Sequence, residues 1–151
     1  MKIEMMTREH ILAVAEIEKE AFGAENAQKT LEKELENKIS AYFVLKKDNE
    51  IIGYIGIWNL CGEGDIINIA VKKGYRKTGI GSALMGYSFK YCRENDISAL
   101  NLEVRESNFS AREFYKKHGF KEVGERKRYY DGKETAVLMR LDIEKTEDFK
   151  K

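Results

Sequence analysis

The sequence predicts a single mixed α/β domain built on one sheet. Three observations carry this: strand-period segments alternate with helix-period ones, no repeat or linker interrupts them, and 151 residues with 42% hydrophobic content suffice for one core. Residues 2–6 form the first strand. Thr7 stands as an N-cap, with His10 three residues on, where a capping box would carry Glu or Gln. A helix then runs to Phe22 with Ile11, Leu12, Val14, Ala15 and Ile17 on its apolar side and His10 on its surface, and residues 23–26 break it. A second helix over 27–38 carries only Leu31 and Leu35 at one-face spacing, with Ile39 following, which suits a surface cover or a flap.

From Ser40 the period changes to two. Segments 41–46 and 51–60, joined by Lys47-Asp48-Asn49-Glu50, form a hairpin in which Trp58 is strand packing. Residues 65–71 are nearly all apolar, as in a central strand buried on both faces. The helix after it reaches Glu94, with Ile80, Ala83, Leu84, Tyr87 and Tyr91 on one side and Cys92 buried along that side. Over 99–105, Leu100, Leu102 and Val104 face one way while Asn101, Glu103 and Arg105 face the other. A helix over 108–118 ends at Gly119, where the dipole favours His118. Strands over 120–129 and 133–141 join through Asp131-Gly132, a hairpin signal. The order is β-α-α-β-β-β-α-β-α-β-β over residues 1–142, with a charged tail at 143–151.

Composition narrows the function. The 27 Lys+Arg and 26 Asp+Glu leave a net charge of +1, unlike a protein that binds nucleic acid through phosphate neutralisation. The longest apolar run, 51–58, is broken by Gly53 and Gly56 and falls short of the roughly 20 residues of a membrane-spanning helix. Cys61, Cys92, His10 and His118 show no metal-ligand spacing, and the N-terminus lacks a signal-peptide pattern, so the expectation is a cytoplasmic protein with reduced thiols and no metal. Proline is absent, which leaves turns to Gly, Asn and Asp.

The charge is unevenly placed. Between residues 66 and 93 there is no acid, whereas Lys72, Lys73, Arg76, Lys77, Lys90 and Arg93 are all basic. This excess surrounds a glycine-bearing turn between a strand and a helix, where free N–H groups and the helix dipole would receive a polyphosphate. The plain alternative is a glycine turn with solvated lysines. A nucleotide-hydrolysing P-loop is excluded because Ile80 and Gly81 stand where its Lys and Ser/Thr belong. A dinucleotide fingerprint is excluded because Leu84 holds its third glycine position.

What remains is Arg/Gln-x-x-Gly-x-Gly/Ala, met by Arg76-Lys77-Thr78-Gly79-Ile80-Gly81. Here the chain resembles the GCN5-related N-acetyltransferase superfamily, and the resemblance extends over nearly its whole length. The stretches INIAVKKGYRKTGIGSALM, LEVRESN, Asn108-x-x-Ala111-x-x-x-Tyr115-x-x-x-Gly119-Phe120 and Arg128-Tyr129-Tyr130 are similar to its ribosomal-protein-alanine N-acetyltransferase branch. The resemblance implies the fold of that superfamily and acetyl-CoA as co-substrate. It implies that the backbone of Ile69, Ala70 and Val71 holds the acetyl and pantetheine part, that Arg76, Lys77, Thr78, Gly79, Ile80, Gly81 and Ser82 hold the pyrophosphate, and that Asn108 also contacts the coenzyme. Glu103 becomes the general base and Tyr115 the general acid.

The residue chemistry fits these roles. Acetyl transfer needs a neutral amine, hence a proton acceptor, and a donor for the leaving thiolate. Glu103 would otherwise be a solvated strand glutamate. Tyr115 shares a helical face with Ala111 and Gly119, and its phenol, with a pKa of about 10, stays protonated at neutral pH. Two departures fall in the acceptor half: Phe22-Gly23-Ala24-Glu25-Asn26 stands where many members of the branch carry Pro-Trp, and Glu134-Thr135-Ala136 lacks the acid that commonly follows the glutamate. The expectation is direct transfer to a primary amine, first of all the α-amino group of a protein N-terminus such as that of a ribosomal protein, by a monomer or weak dimer. The alternatives are a polyamine, lysine or small-molecule acceptor, and a coenzyme-binding sensor without catalysis.

Overall fold

The computed structural model describes residues 1–130 and 132–143; Asp131 of the anticipated Asp131-Gly132 turn and the tail from residue 144 lie outside them. Seven strands and four helices follow in the expected order: β1 (Lys2–Met5), α1 (Ile11–Phe22), α2 (Ala27–Glu36), β2 (Ser40–Lys47), β3 (Glu50–Leu60), β4 (Glu63–Val71), α3 (Ile80–Glu94), β5 (Ala99–Arg105), α4 (Phe109–Lys117), β6 (Lys121–Tyr130) and β7 (Glu134–Asp142). A short 3-10 turn, Arg8–His10, leads into α1. Ile143, assigned to the tail by the sequence, donates its N–H to the Ser98 carbonyl at 2.8 Å and packs on the core.

The strands form one sheet in the order β1-β2-β3-β4-β5-β7-β6. Among the described residues, only β4 and β5 pair in parallel. α3 and α4 cover one face, over a core that includes Phe43, Ile52, Ile55, Leu84, Met85, Leu100 and Met139. α1 and α2 cover the other face of β2, β3 and β4 through Val14, Ile17, Leu31, Tyr42, Val44 and Tyr54. The thin apolar stripe of α2 is thus a cover, anchored by the fully buried Leu31.

The feature that positions the site is a fork. β4 and β5 pair only over Glu63↔Ala99, Gly64↔Leu100 and Asp65↔Asn101, although both strands continue, to Val71 and Arg105. Beyond Asp65, among the described residues, β4 pairs with β3 alone. The expectation that this strand is buried on both faces is therefore corrected: Ile67, Asn68, Ile69 and Val71 are only partly buried, because their β5 neighbour has moved away. The register also shifts here, with Asn68 opposite Gly56 but Ile66 opposite Ile57. The extra residue, Ile67, makes a β-bulge at the point of separation.

Other expectations change at single residues. His10 is not on the surface but 6% exposed; its Nδ1 accepts the Thr7 N–H at 3.0 Å, so it performs the capping-box task of a Glu or Gln. Leu12, placed on the apolar side of α1, is 65% exposed, while Glu18 takes a buried place on that side. Trp58 packs on its strand as expected and also donates its indole N–H to Glu34 of α2 at 3.0 Å.

Candidate active site

Backbone geometry opens the fork to a ligand. Lys72 donates its N–H to the Ile52 carbonyl of β3 at 2.8 Å. By the two-residue period of a strand, the N–H groups of Val71 and Ile69 then turn to the edge that β5 has left, and the polar groups of Ala70 turn to β3. The N–H groups of Ile69 and Val71 thus face the gap, while the Val71 carbonyl accepts the Arg76 Nε. Such N–H groups suit the amides of an extended chain laid along them.

The glycine turn closes one end of the gap. Gly79, at φ +89°, is the N-cap of α3, so the N–H groups of Ile80, Gly81 and Ser82 have no acceptor within the helix. No atom lies within 4 Å of where a Gly79 Cβ would stand. A side chain at Gly81 would meet the Phe114 ring at 3.2 Å. The turn before it contains a second left-handed residue, Lys77 at φ +63°. These features suit an anion such as a phosphate group, with the helix dipole directed toward it.

A cavity of about 760 Å³ joins the open edge of β4 to this turn. Ten of the thirteen sequence-predicted site residues line it: Ile69, Ala70, Val71, Arg76, Lys77, Gly79, Gly81, Ser82, Asn108 and Tyr115. Thr78, Ile80 and Glu103 are not among the lining. The Thr78 hydroxyl donates to the Tyr75 carbonyl, which braces the turn. The Ile80 side chain is 3% exposed and belongs to the core, leaving its backbone N–H as its contribution to the turn. Asn108 is the N-cap of α4, its Oδ1 accepting the Ala111 N–H at 3.2 Å. Tyr115 lies in a cluster of rings, 5.5 Å from Phe114 and 5.7 Å from Phe120.

Glu103 approaches from the opposite face of the sheet. It alternates with the buried Leu102 and Val104, and its Oε2 is 3.2 Å from Arg126 of β6. The fork is where the two faces communicate, with Tyr115 on the α4 side and Glu103 on the side of α1 and α2. The cavity can therefore hold a polyphosphate coenzyme with an extended arm, and the face around Glu103 can receive an amine.

Several neighbours of the candidate site escaped the sequence reading. Arg76 gives its Nε to the Val71 carbonyl at 3.0 Å and lies 3.4 Å from Glu20 of α1, which also accepts the Lys73 N–H at 2.9 Å. Lys72 is paired with Glu50 at 2.5 Å. The basic segment is thus partly compensated by acids from α1 and the β2–β3 hairpin. Glu18 accepts the Tyr54 hydroxyl at 2.7 Å and the Asn68 amide at 3.2 Å, tying α1 to the bulge. Glu134 accepts the Ser107 N–H at 2.8 Å and fixes the loop before α4; hydrogen bonding from the Ser107 side chain, then from its N–H, holds the carboxyl below the usual range.

His118 is the C-cap of α4, at the helix end as expected; its Nε2 is also 3.0 Å from the Ser82 hydroxyl, and burial, helped by Lys117, lowers its pKa. This contact connects α4 to the glycine turn before α3. Cys92 is buried as expected, its thiol pushed up to about 12 by burial, which leaves it inert as a nucleophile.

Fold, fork and glycine turn together define an acetyl-CoA-dependent N-acetyltransferase. The chain belongs to the Acetyltransferase (GNAT) family, whose model matches residues 11–120. A Haemophilus influenzae (strain ATCC 51907 / DSM 11121 / KW20 / Rd) relative, a [ribosomal protein bS18]-alanine N-acetyltransferase, is 40% identical over 109 residues, 68% of this chain and 74% of its own. A Bacillus subtilis (strain 168) relative, whose name carries the same activity provisionally, is 38% identical over 143 residues, 93% of this chain and 95% of its own. The crystal structure of the ribosomal-protein-S18-alanine N-acetyltransferase from Escherichia coli superposes with a TM-score of 0.86 at 28% identity, covering 94% of this chain and 93% of that one.

Proposed function

We propose that the chain transfers the acetyl group of acetyl-CoA to the α-amino group of a protein N-terminus, with the alanine of a ribosomal protein as first candidate. The observation that carries this is the fork, which sets the coenzyme cavity and the Glu103 face on either side of one gap. The names of the relatives supply the acceptor.

Bound acetyl-CoA supplies an acetyl thioester open to attack by an amine. Ile69 and Val71 hold its extended arm through backbone N–H groups. Arg76, Lys77, Thr78, Gly79, Ile80, Gly81 and Ser82 form the pyrophosphate cradle, Ala70 shapes the wall, and Asn108 borders the coenzyme from α4. Glu103 accepts a proton from the acceptor nitrogen, and Tyr115 offers its phenolic proton toward the coenzyme sulfur. Holding both substrates together makes the transfer a single displacement and removes most of the entropic cost of their encounter. Residues 1–142 act as one catalytic domain, in the cytoplasm, as a monomer or weak dimer.

One panel tests the reading: acetyl-CoA with an alanine-starting peptide, a blocked peptide containing an internal lysine, and a polyamine. Thiol release with the first alone is expected. Release only with one of the others overturns the acceptor assignment. Tight coenzyme binding without any release would favour a sensor.

A further inference from the structure

Among the described residues, Glu18 of α1 is the only buried carboxylate, 6% exposed, and no cation is within ion-pair distance of it. A charge placed there is tolerated only through hydrogen bonds. One oxygen, Oε1, accepts two of them, from the Tyr54 hydroxyl of β3 at 2.7 Å and from the Asn68 amide of β4 at 3.2 Å. Tyr54 is fully buried, its ring stacked on that of Tyr42 at 6.2 Å, and burial together with the charge of Glu18 raises its pKa, so the phenol remains a donor. A buried polar trio is weak evidence of stabilisation, since apolar side chains of the same size would fill the space at less cost. Its use lies in what it holds.

It holds the bulge. Asn68 follows the extra residue Ile67 and stands opposite Gly56, where a side chain would run into the Tyr42 ring, so β3 presents bare backbone at this point. β4 has already lost β5 after Asp65, and the bulge takes one more residue out of its ladder with β3. The strand is therefore weakly held just where its N–H groups turn to the gap, beginning with Ile69, the residue after Asn68. The Asn68 amide reaches the α1 face, and Glu18 fixes it there. The same helix meets the coenzyme cavity two residues on: Glu20 accepts the Lys73 N–H at 2.9 Å, and Ala21 and Phe22 join the lining.

We infer that Glu18 is a positioning residue for acetyl transfer: acting through the Asn68 amide, it fixes the bulge and with it the direction in which the Ile69 N–H meets the coenzyme. Glu18 exchanges no proton in the reaction, and its effect passes through Asn68. This rests on the coenzyme lying along the open edge of β4 as proposed above, and it holds for whichever amine receives the acetyl group. Loss of the tether leaves the phosphate-binding turn intact, so coenzyme affinity changes little, whereas a displacement of the reacting end by about 1 Å costs up to about a hundredfold in rate.

The test compares Asn68→Ala and Glu18→Ala, singly and together, in the full chain with acetyl-CoA and an alanine-starting peptide. Each single variant should lower kcat by about 10–100-fold, while the acetyl-CoA dissociation constant, measured calorimetrically, stays within about threefold. The double variant should be no slower than the slower single one, because the two side chains act as a unit. Glu18→Gln keeps an oxygen for both donors and should hold kcat within about fivefold of the wild type across the pH range. Asn68→Ala and Glu18→Gln carry the test by themselves if Glu18→Ala does not fold.

Losses that multiply in the double variant overturn the inference. So does a wild-type kcat per folded molecule in Asn68→Ala, which would leave the trio a purely structural contact. A Glu18→Gln variant that is slow at neutral pH and recovers at high pH would make Glu18 a proton acceptor, and this overturns the inference too. If the wild type releases thiol with another amine of the panel and not with the alanine-starting peptide, the acceptor reading falls alone, and the same comparison is made with that amine. Release with no amine overturns both.

Discussion

Two glycines of the same helical segment should respond to alanine with opposite sign. Neither Gly79 nor Gly86 has an atom within 4 Å of the point a Cβ would occupy, so neither substitution meets a clash. They differ in backbone. Gly79 lies at φ +89°, where an L-residue costs about 1–2 kcal/mol. Gly86 sits within α3, exposed, where alanine gains about 0.5–1 kcal/mol through lower unfolded-state entropy. The two variants should differ by about 1.5–3 kcal/mol, or about 3–12 °C in melting temperature for a chain of this size. Urea titration and thermal melting measure this, and calorimetry with acetyl-CoA adds the functional half: Gly79→Ala places a methyl group in the phosphate cradle and weakens binding, while Gly86→Ala leaves it unchanged. Shifts of the same sign, or undiminished coenzyme affinity in Gly79→Ala, would refute the assignment of this turn.

Three further outcomes follow from the site. Glu103→Gln should slow turnover most near neutral pH and least at high pH, where the amine deprotonates itself; an equal loss at every pH contradicts proton acceptance. Tyr115→Phe should keep acetyl-CoA affinity and lower turnover, and a variant of normal turnover would remove the phenol from the mechanism. Because folding lowers the His118 pKa, the unfolded chain binds a proton that the native one refuses, so stability falls as the pH drops from the ordinary histidine value toward the lowered one. His118→Gln should flatten that part of the stability profile, as read by denaturant midpoints; an unchanged slope contradicts the neutral Ser82–His118 contact.

The local signals in the sequence translated closely. The alternation over Ala99–Arg105 gave β5 its bounds and its two faces, and the Arg76-to-Gly81 turn lies at the start of α3 with its N–H groups unpaired. What stayed hidden depends on partners distant in the chain. The apolar run of β4 reads as fully buried because hydrophobicity cannot reveal that β5 diverges after Asp65. The hairpin of β6 and β7 was legible, but not that β7 is the strand beside β5, which brings Arg126 of β6 within reach of Glu103. The acid-free segment looks strongly basic in sequence, yet Glu20 and Glu50 reach it from α1 and β3. Glu18 has the helical spacing of a buried residue but a charge that argues against burial, and only the distant Tyr54 hydroxyl and Asn68 amide make that burial tolerable.

The position of the transferred acetyl group tests the proposed activity most directly. A peptide with a free N-terminal alanine and one internal lysine, incubated with the enzyme and acetyl-CoA, can be read by tandem mass spectrometry. Acetylation confined to the α-nitrogen, with one coenzyme thiol released per peptide modified, is the predicted result. Acetyl on the lysine side chain alone, or none on the peptide despite a saturated coenzyme site, would contradict it.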